Sequence, residues 1–129
     1  MSIFNSLFGN SEETQKIESS INWIPLTNLG QLNEIMMLSE VKPVLIFKHS
    51  TRCSVSRMAL KQFENEFDLA DTVDAYFLDL LEYRNISNEI ANRFQVQHQS
   101  PQLILIKEGK AFYNASHSAI DAVELKGKI

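Results

Sequence analysis

Pro43-Val44-Leu45-Ile46-Phe47 is an unbroken apolar run, rich in β-branched and aromatic residues and headed by proline. A strand with one wet face alternates apolar and polar residues, so a run without alternation suits a strand covered on both faces. Cover on both sides implies helices above and below a sheet, which narrows the chain to a layered α/β arrangement. Downstream, Val55, Met58/Ala59, Phe63 and Phe67 recur every three to four residues and are expected to form the inner face of a helix. Arg57, Lys61, Glu64 and Asp68 take its outer stripe.

Between these two elements lies the polar linker His49-Ser50-Thr51-Arg52, followed by Cys53, the chain's single cysteine. A linker this short places Cys53 at or just inside the first helical turn. Unpaired backbone N–H groups and the positive end of the helix dipole favour an anion there, and the thiolate is the nucleophilic form of cysteine. Local sequence alone leaves open whether Cys53 is a reactive thiol or a small buried hydrophobe.

The rest of the chain continues the same alternation. Residues 21–26 read as a first strand, confined to an edge by Pro25. Asn28 with Gln31 forms a capping-box pattern that opens a helix with Leu29, Leu32, Ile35 and Met36 inward, ending before Pro43. Residues 74–81 read as a third strand, and Asn85 or Ser87 can cap a helix that turns Ile90, Ala91 and Phe94 inward. Gln102-Leu103-Ile104-Leu105-Ile106 is another buried-strand run, and residues 107–110 form a hairpin turn in which Gly109 supplies a positive φ. Residues 111–115 return antiparallel, and Ser118 with Asp121 can cap a short last helix carrying Ile120 and Val123 and ending near Lys126. The expected order is β-α-β-α-β-α-β-β-α, and parallel crossovers of this length place helices on both faces of the sheet.

At 129 residues the chain is sized for one domain. One cysteine excludes an internal disulfide and any multi-cysteine metal site. A net charge of −4 and a pI near 5.3, without a basic stripe, argue against nucleic acid as a partner. No apolar run approaches the roughly 20 residues needed to span a bilayer. Residues 1–10 carry Ile3, Phe4, Leu7 and Phe8 at helical spacing but no basic leader, and residues 11–20 are polar and acidic. Residues 1–20 are therefore expected to be an N-terminal arm or linker ahead of a domain at 21–129, in a cytoplasmic protein expected to be a monomer.

The strand, loop and cysteine-headed helix, the segment Phe94-Gln95-Val96-Gln97-His98-Gln99-Ser100-Pro101-Gln102-Leu103, and the turn at 107–110 together resemble a thioredoxin-like fold over residues 21–129. Within it, Phe47-Lys48-His49-Ser50-Thr51-Arg52-Cys53-Ser54-Val55-Ser56 is similar to the monothiol bacilliredoxins, the YtxJ-like or bacilliredoxin C group, whose members usually show Phe-Lys-His-Ser-Thr and then Cys-Pro-x-Ser. Ser54 departs from that pattern but leaves Cys53 and Ser56 in register.

The resemblance implies that Ser56 stands where a dithiol thioredoxin carries its second cysteine. A hydroxyl cannot attack a disulfide, so a second thiol must come from outside. The implied chemistry is thiol–disulfide exchange through Cys53 on S-thiolated client proteins, with bacillithiol as co-substrate and no tightly bound cofactor or metal. Ser56 would donate a hydrogen bond to the Cys53 sulfur or simply be a first-turn polar residue. Pro101, cis in the resembled fold, would stack against the sulfur, and the Ser100 backbone would pair with substrate. Arg52 and His49, with Lys48, would favour the thiolate and bind a small-thiol carboxylate. His98 and His117 read as surface residues. Two other readings carry different tests: a sensor modified at Cys53 without turnover, and a dimeric iron–sulfur carrier, which would be coloured.

Overall fold

The structure, a computed structural model, describes residues 21–129. The expected arm at residues 1–20 lies outside the described residues. In chain order the elements are β1 (Ile24–Pro25), α1 (Gly30–Leu38), β2 (Val44–His49), α2 (Ser54–Glu66), β3 (Asp74–Asp79), α3 (Arg84–Phe94), β4 (Gln102–Lys107), β5 (Lys110–Ser116) and α4 (Ala122–Lys126). Short 3-10 turns at Ala70–Thr72 and His117–Ala119 lead into β3 and α4. The order agrees with the sequence reading, and the five strands lie β1-β3-β2-β4-β5 across one mixed sheet. β1 and β2 both run parallel to β3, whereas β4 is antiparallel to β2 and to β5. β1 is shorter than expected and sits at the edge, the place where a strand tolerates Pro25.

Central strand β2 explains the unbroken apolar run. Val44 and Ile46 enter one core with Leu32, Ile35, Leu78, Ile90 and Ile104, under α1 and α3. Leu45 and Phe47 enter a second core with Phe63, Phe67, Leu103, Ala122 and Leu125, under α2 and α4. Because successive side chains of a strand point to opposite faces, a strand covered on both sides must be apolar at every position along that length.

Turn and cap chemistry fixes where elements begin. Asn28 and Gln31 exchange hydrogen bonds reciprocally, Gln31 N–H to Asn28 Oδ1 and Asn28 N–H to Gln31 Oε1, each at 3.1 Å. That is the capping box read from sequence. Asp121 Oδ1 accepts from Val123 N–H at 2.8 Å and caps α4, whereas Ser118 lies within the preceding 3-10 turn. Glu108 and Gly109 both have positive φ, 52° and 74°, in the tight turn between β4 and β5.

Some inner faces differ from expectation. Met36 and Leu29 are exposed, and α1 buries Leu32 and Ile35. On α2, Val55 and Met58 are 52% and 71% exposed, while Ser56 is fully buried. The helix is rotated so that its polar first-turn residue faces inward. α3 starts at Arg84 with no side-chain cap, so Asn85 and Ser87 lie inside it, and Ser87 is buried beside Ile86 and Ile90. Val123 is exposed, and Ala122 and Leu125 anchor α4 instead.

Candidate active site

β2 is longer than its apolar run. It continues through Lys48 and His49 before the chain turns, because both keep their pairing with β3, opposite Leu78 and Asp79. The turn that follows is closed by Cys53 N–H donating to Ser50 C=O at 3.1 Å and by Arg57 Nη1 donating to Thr51 C=O at 3.1 Å. Cys53 is the N-cap of α2, with extended backbone (φ −104°, ψ 121°), and is partly exposed. Its own carbonyl accepts from Arg57 N–H, so the sulfur stands at the start of a 13-residue helix. Arg52 is exposed in the turn immediately before it.

Ser56 occupies the inner side of the first turn. Its Oγ accepts from Ser50 N–H at 3.1 Å and lies 2.8 Å from His49 Nδ1. Burial is the first cause that lowers the His49 pKa, with Arg57 adding in the same direction against Asp79 and Glu64, so the ring is neutral at pH 7. A buried neutral imidazole cannot bind a carboxylate as a cation. The structure corrects the place of His49 from the linker to the strand: it is the last residue of β2, buried, and the partner of Ser56. Its tautomer decides what Ser56 can do. With Nδ1 accepting, the hydroxyl proton points to the ring; with Nδ1 donating, that proton is free to face the sulfur.

Ser100 and Pro101 precede β4, and the peptide bond between them is cis. They reach the end of the sheet that holds Cys53 because β4 starts beside the end of β2, with Gln102 paired to Lys48. Pro101 C=O accepts from His117 N–H at 3.1 Å, which brings the segment after β5 to the same end. There a groove opens along α2, lined by Val55, Met58, Ala59, His117, Ile120 and Val123. No group of three or more His, Cys, Asp or Glu placed to hold a metal ion occurs among the described residues. No helix there is long and apolar enough to cross a membrane.

Lys48 is expected, with Arg52 and His49, to favour the thiolate. It is instead fully buried and on the opposite face of the sheet from Phe47, where burial lowers its pKa to about 8. The signal was present in the period-two pattern, which places Val44, Ile46 and Lys48 on one face; a lysine there is usually a reason to end the strand instead.

The chain matches the family described as monothiol bacilliredoxin BrxC over residues 24–125. Among solved structures it is similar to a thioredoxin-fold protein proposed to be an oxidoreductase, at 31% identity and a TM-score of 0.70, covering 81% of this chain and 91% of that one. Malassezia sympodialis thioredoxin matches at 19% identity and a TM-score of 0.63, covering 84% and 89%. Mitochondrial thioredoxin 3 from Saccharomyces cerevisiae matches at 22% and 0.57, covering 82% and 92%. The last two establish the fold alone. With one cysteine at the head of α2 and a match that spans nearly all of the folded domain, the chain belongs to the monothiol bacilliredoxin family, whose chemistry is thiol redox exchange.

Proposed function

We propose that this protein removes a small thiol, bacillithiol, from S-thiolated proteins through Cys53. In the first step the Cys53 thiolate attacks the small-thiol sulfur of the mixed disulfide. A disulfide bond forms between Cys53 and the small-thiol sulfur, the S–S bond between that sulfur and the client's cysteine breaks, and the client thiolate leaves and takes up a proton. In the second step an external thiol, acting as reductant, attacks the same small-thiol sulfur. It leaves as a disulfide with the small thiol and returns Cys53 as thiolate, so each cycle consumes one external thiol. Ser100 and Pro101 would receive the client backbone, Arg52 would face a carboxylate of the small thiol, and Ser56 would hydrogen-bond the attacking sulfur.

The observation that carries this reading is the pairing of a lone, partly exposed cysteine at a helix start with a hydroxyl, not a second thiol, on the inner side of the same turn. The family match supports thiol redox chemistry and is consistent with a small-thiol substrate.

The test is release of bacillithiol from a bacillithiolated protein, followed by mass spectrometry against free bacillithiol at the same concentration. Wild type should accelerate release and accumulate a Cys53 mixed disulfide, and Cys53→Ser should do neither. Equal slow rates for wild type and Cys53→Ser would overturn catalysis and leave a sensor that is modified without turnover.

A further inference from the structure

Lys48 stands apart in this fold. It is a fully buried ammonium that forms no ion pair among the described residues; its partners are Ser87 C=O and His98 Nδ1, each 3.3 Å from Nζ. These partners lie 39 and 50 residues away, one in α3 and one in the segment that leads into β4. Lysine can only donate, so His98 Nδ1 must accept from it, and the proton of the neutral ring sits on Nε2. Ser87 Oγ lies 3.2 Å from the same nitrogen and shares its single lone pair with Lys48. Burial, Lys48 and Arg84 together lower the His98 pKa, which keeps Nδ1 free to accept.

Gln102 completes the cluster. It pairs with Lys48 across the β2–β4 ladder, so both side chains leave the sheet on one face. Its Nε2 donates to Gln97 C=O at 2.9 Å, and its buried Oε1 has no partner among the described residues. Turning the amide over would set two carbonyl oxygens against each other at Gln97, so the donor to Gln97 fixes its orientation. Two buried side chains on adjacent strands thus hold two consecutive residues, one by its backbone carbonyl and the next by its ring. A buried amine without a carboxylate is costly. As plain packing, an apolar residue would serve better at position 48.

We propose that Lys48 and Gln102 are positioning residues that clamp segment 97–100 at the sheet end where Cys53 begins α2, fixing the edge that receives a client backbone. The clamp rests on the exchange chemistry proposed above for its consequence, but its existence can be tested without activity. Lys48→Met and Gln102→Met each remove one side of it, and Lys61→Met, an exposed lysine of α2, is the control. Amide hydrogen exchange at residues 97–100 should speed up at least tenfold in both variants and stay unchanged in the control. The nitrogen shifts of His98 should lose the single-tautomer pattern in Lys48→Met.

With a bacillithiolated protein as substrate, both variants should raise KM about tenfold, while the rate of Cys53 alkylation by iodoacetamide changes less than twofold. Unchanged exchange at residues 97–100 would overturn the clamp whatever the activity, as would alkylation that falls in step with client turnover, since Lys48 would then act on the sulfur itself. If wild type releases no bacillithiol, the proposed function fails, and the exchange and tautomer measurements still decide the clamp.

Discussion

Replacing Lys48 by methionine should make the stability of this protein less dependent on pH, and the size of the effect follows from burial. An unfolded lysine titrates near 10.5, whereas folded Lys48 titrates at about 8 because its charged form is desolvated. Between these values the unfolded chain binds more protons than the folded one, so the unfolding free energy of wild type rises with pH across that window. The gap corresponds to about 3 kcal/mol, nearly all of it between pH 7 and 10.5. Methionine fills a similar volume, carries no charge and forgoes hydrogen bonds worth ~1 kcal/mol each. Lys48→Met should therefore be more stable than wild type by about 1–3 kcal/mol at pH 7, with its advantage shrinking by about 3 kcal/mol by pH 10.5.

Urea unfolding of both proteins at half-unit pH steps measures this difference. Tyr76 and Tyr113, whose phenols are pushed up by burial, titrate in both proteins and cancel in the comparison. Parallel stability curves for the two proteins would show that Lys48 is not a desolvated cation and would refute the reasoning. The result also bears on function, because a residue that destabilises the fold at neutral pH and still holds segment 97–100 is placed there for something other than stability.

Other outcomes follow from the same geometry. Ser56→Ala removes the side-chain partner that Ser50 N–H and His49 Nδ1 have among the described residues, and should destabilise by about 1–3 kcal/mol in urea; a loss under 0.5 kcal/mol, roughly the neutral range for surface changes, would mean that water replaces the hydroxyl. Ser56→Cys restores a dithiol spacing, so Cys53 carrying a small thiol should clear itself by internal exchange and end as an intramolecular disulfide, read by mass spectrometry after trapping. Persistence of the mixed disulfide in that variant would place residue 56 out of reach of the sulfur. Because burial holds the His49 pKa below 6.5, stability should be complete above that pH and fall as pH drops below it; His49→Asn should show a shallower decline between pH 6.5 and 5, and identical slopes would exclude His49 as the source.

Much of this architecture is legible in the sequence because it is set by short-range physics. The period of apolar residues marks each strand and helix, the reciprocal pair Asn28 and Gln31 opens α1, and glycine at position 109 meets a turn that demands positive φ. The same local logic puts Cys53 at a helix start, since a polar linker of four residues leaves it nowhere else to go. Faces of helices were harder to read. On α2 an apolar stripe through Val55 and Met58 competes with one through Ala59 and Phe63, and only packing against the sheet chooses the second and turns Ser56 inward.

The company that each polar residue keeps comes from long-range packing. Sequence spacing ends the apolar run at Phe47 and starts the polar linker at His49, because charge normally ends a buried strand. Pairing with β3 and β4 instead carries β2 two residues further and turns Lys48 and His49 to opposite sides of the sheet. His49 then meets Ser56, and Lys48 meets Ser87, His98 and Gln102, at separations no local pattern encodes. A short polar linker puts the chain's one sulfur at a helix start; strand register determines which buried groups surround the end of the sheet that presents it.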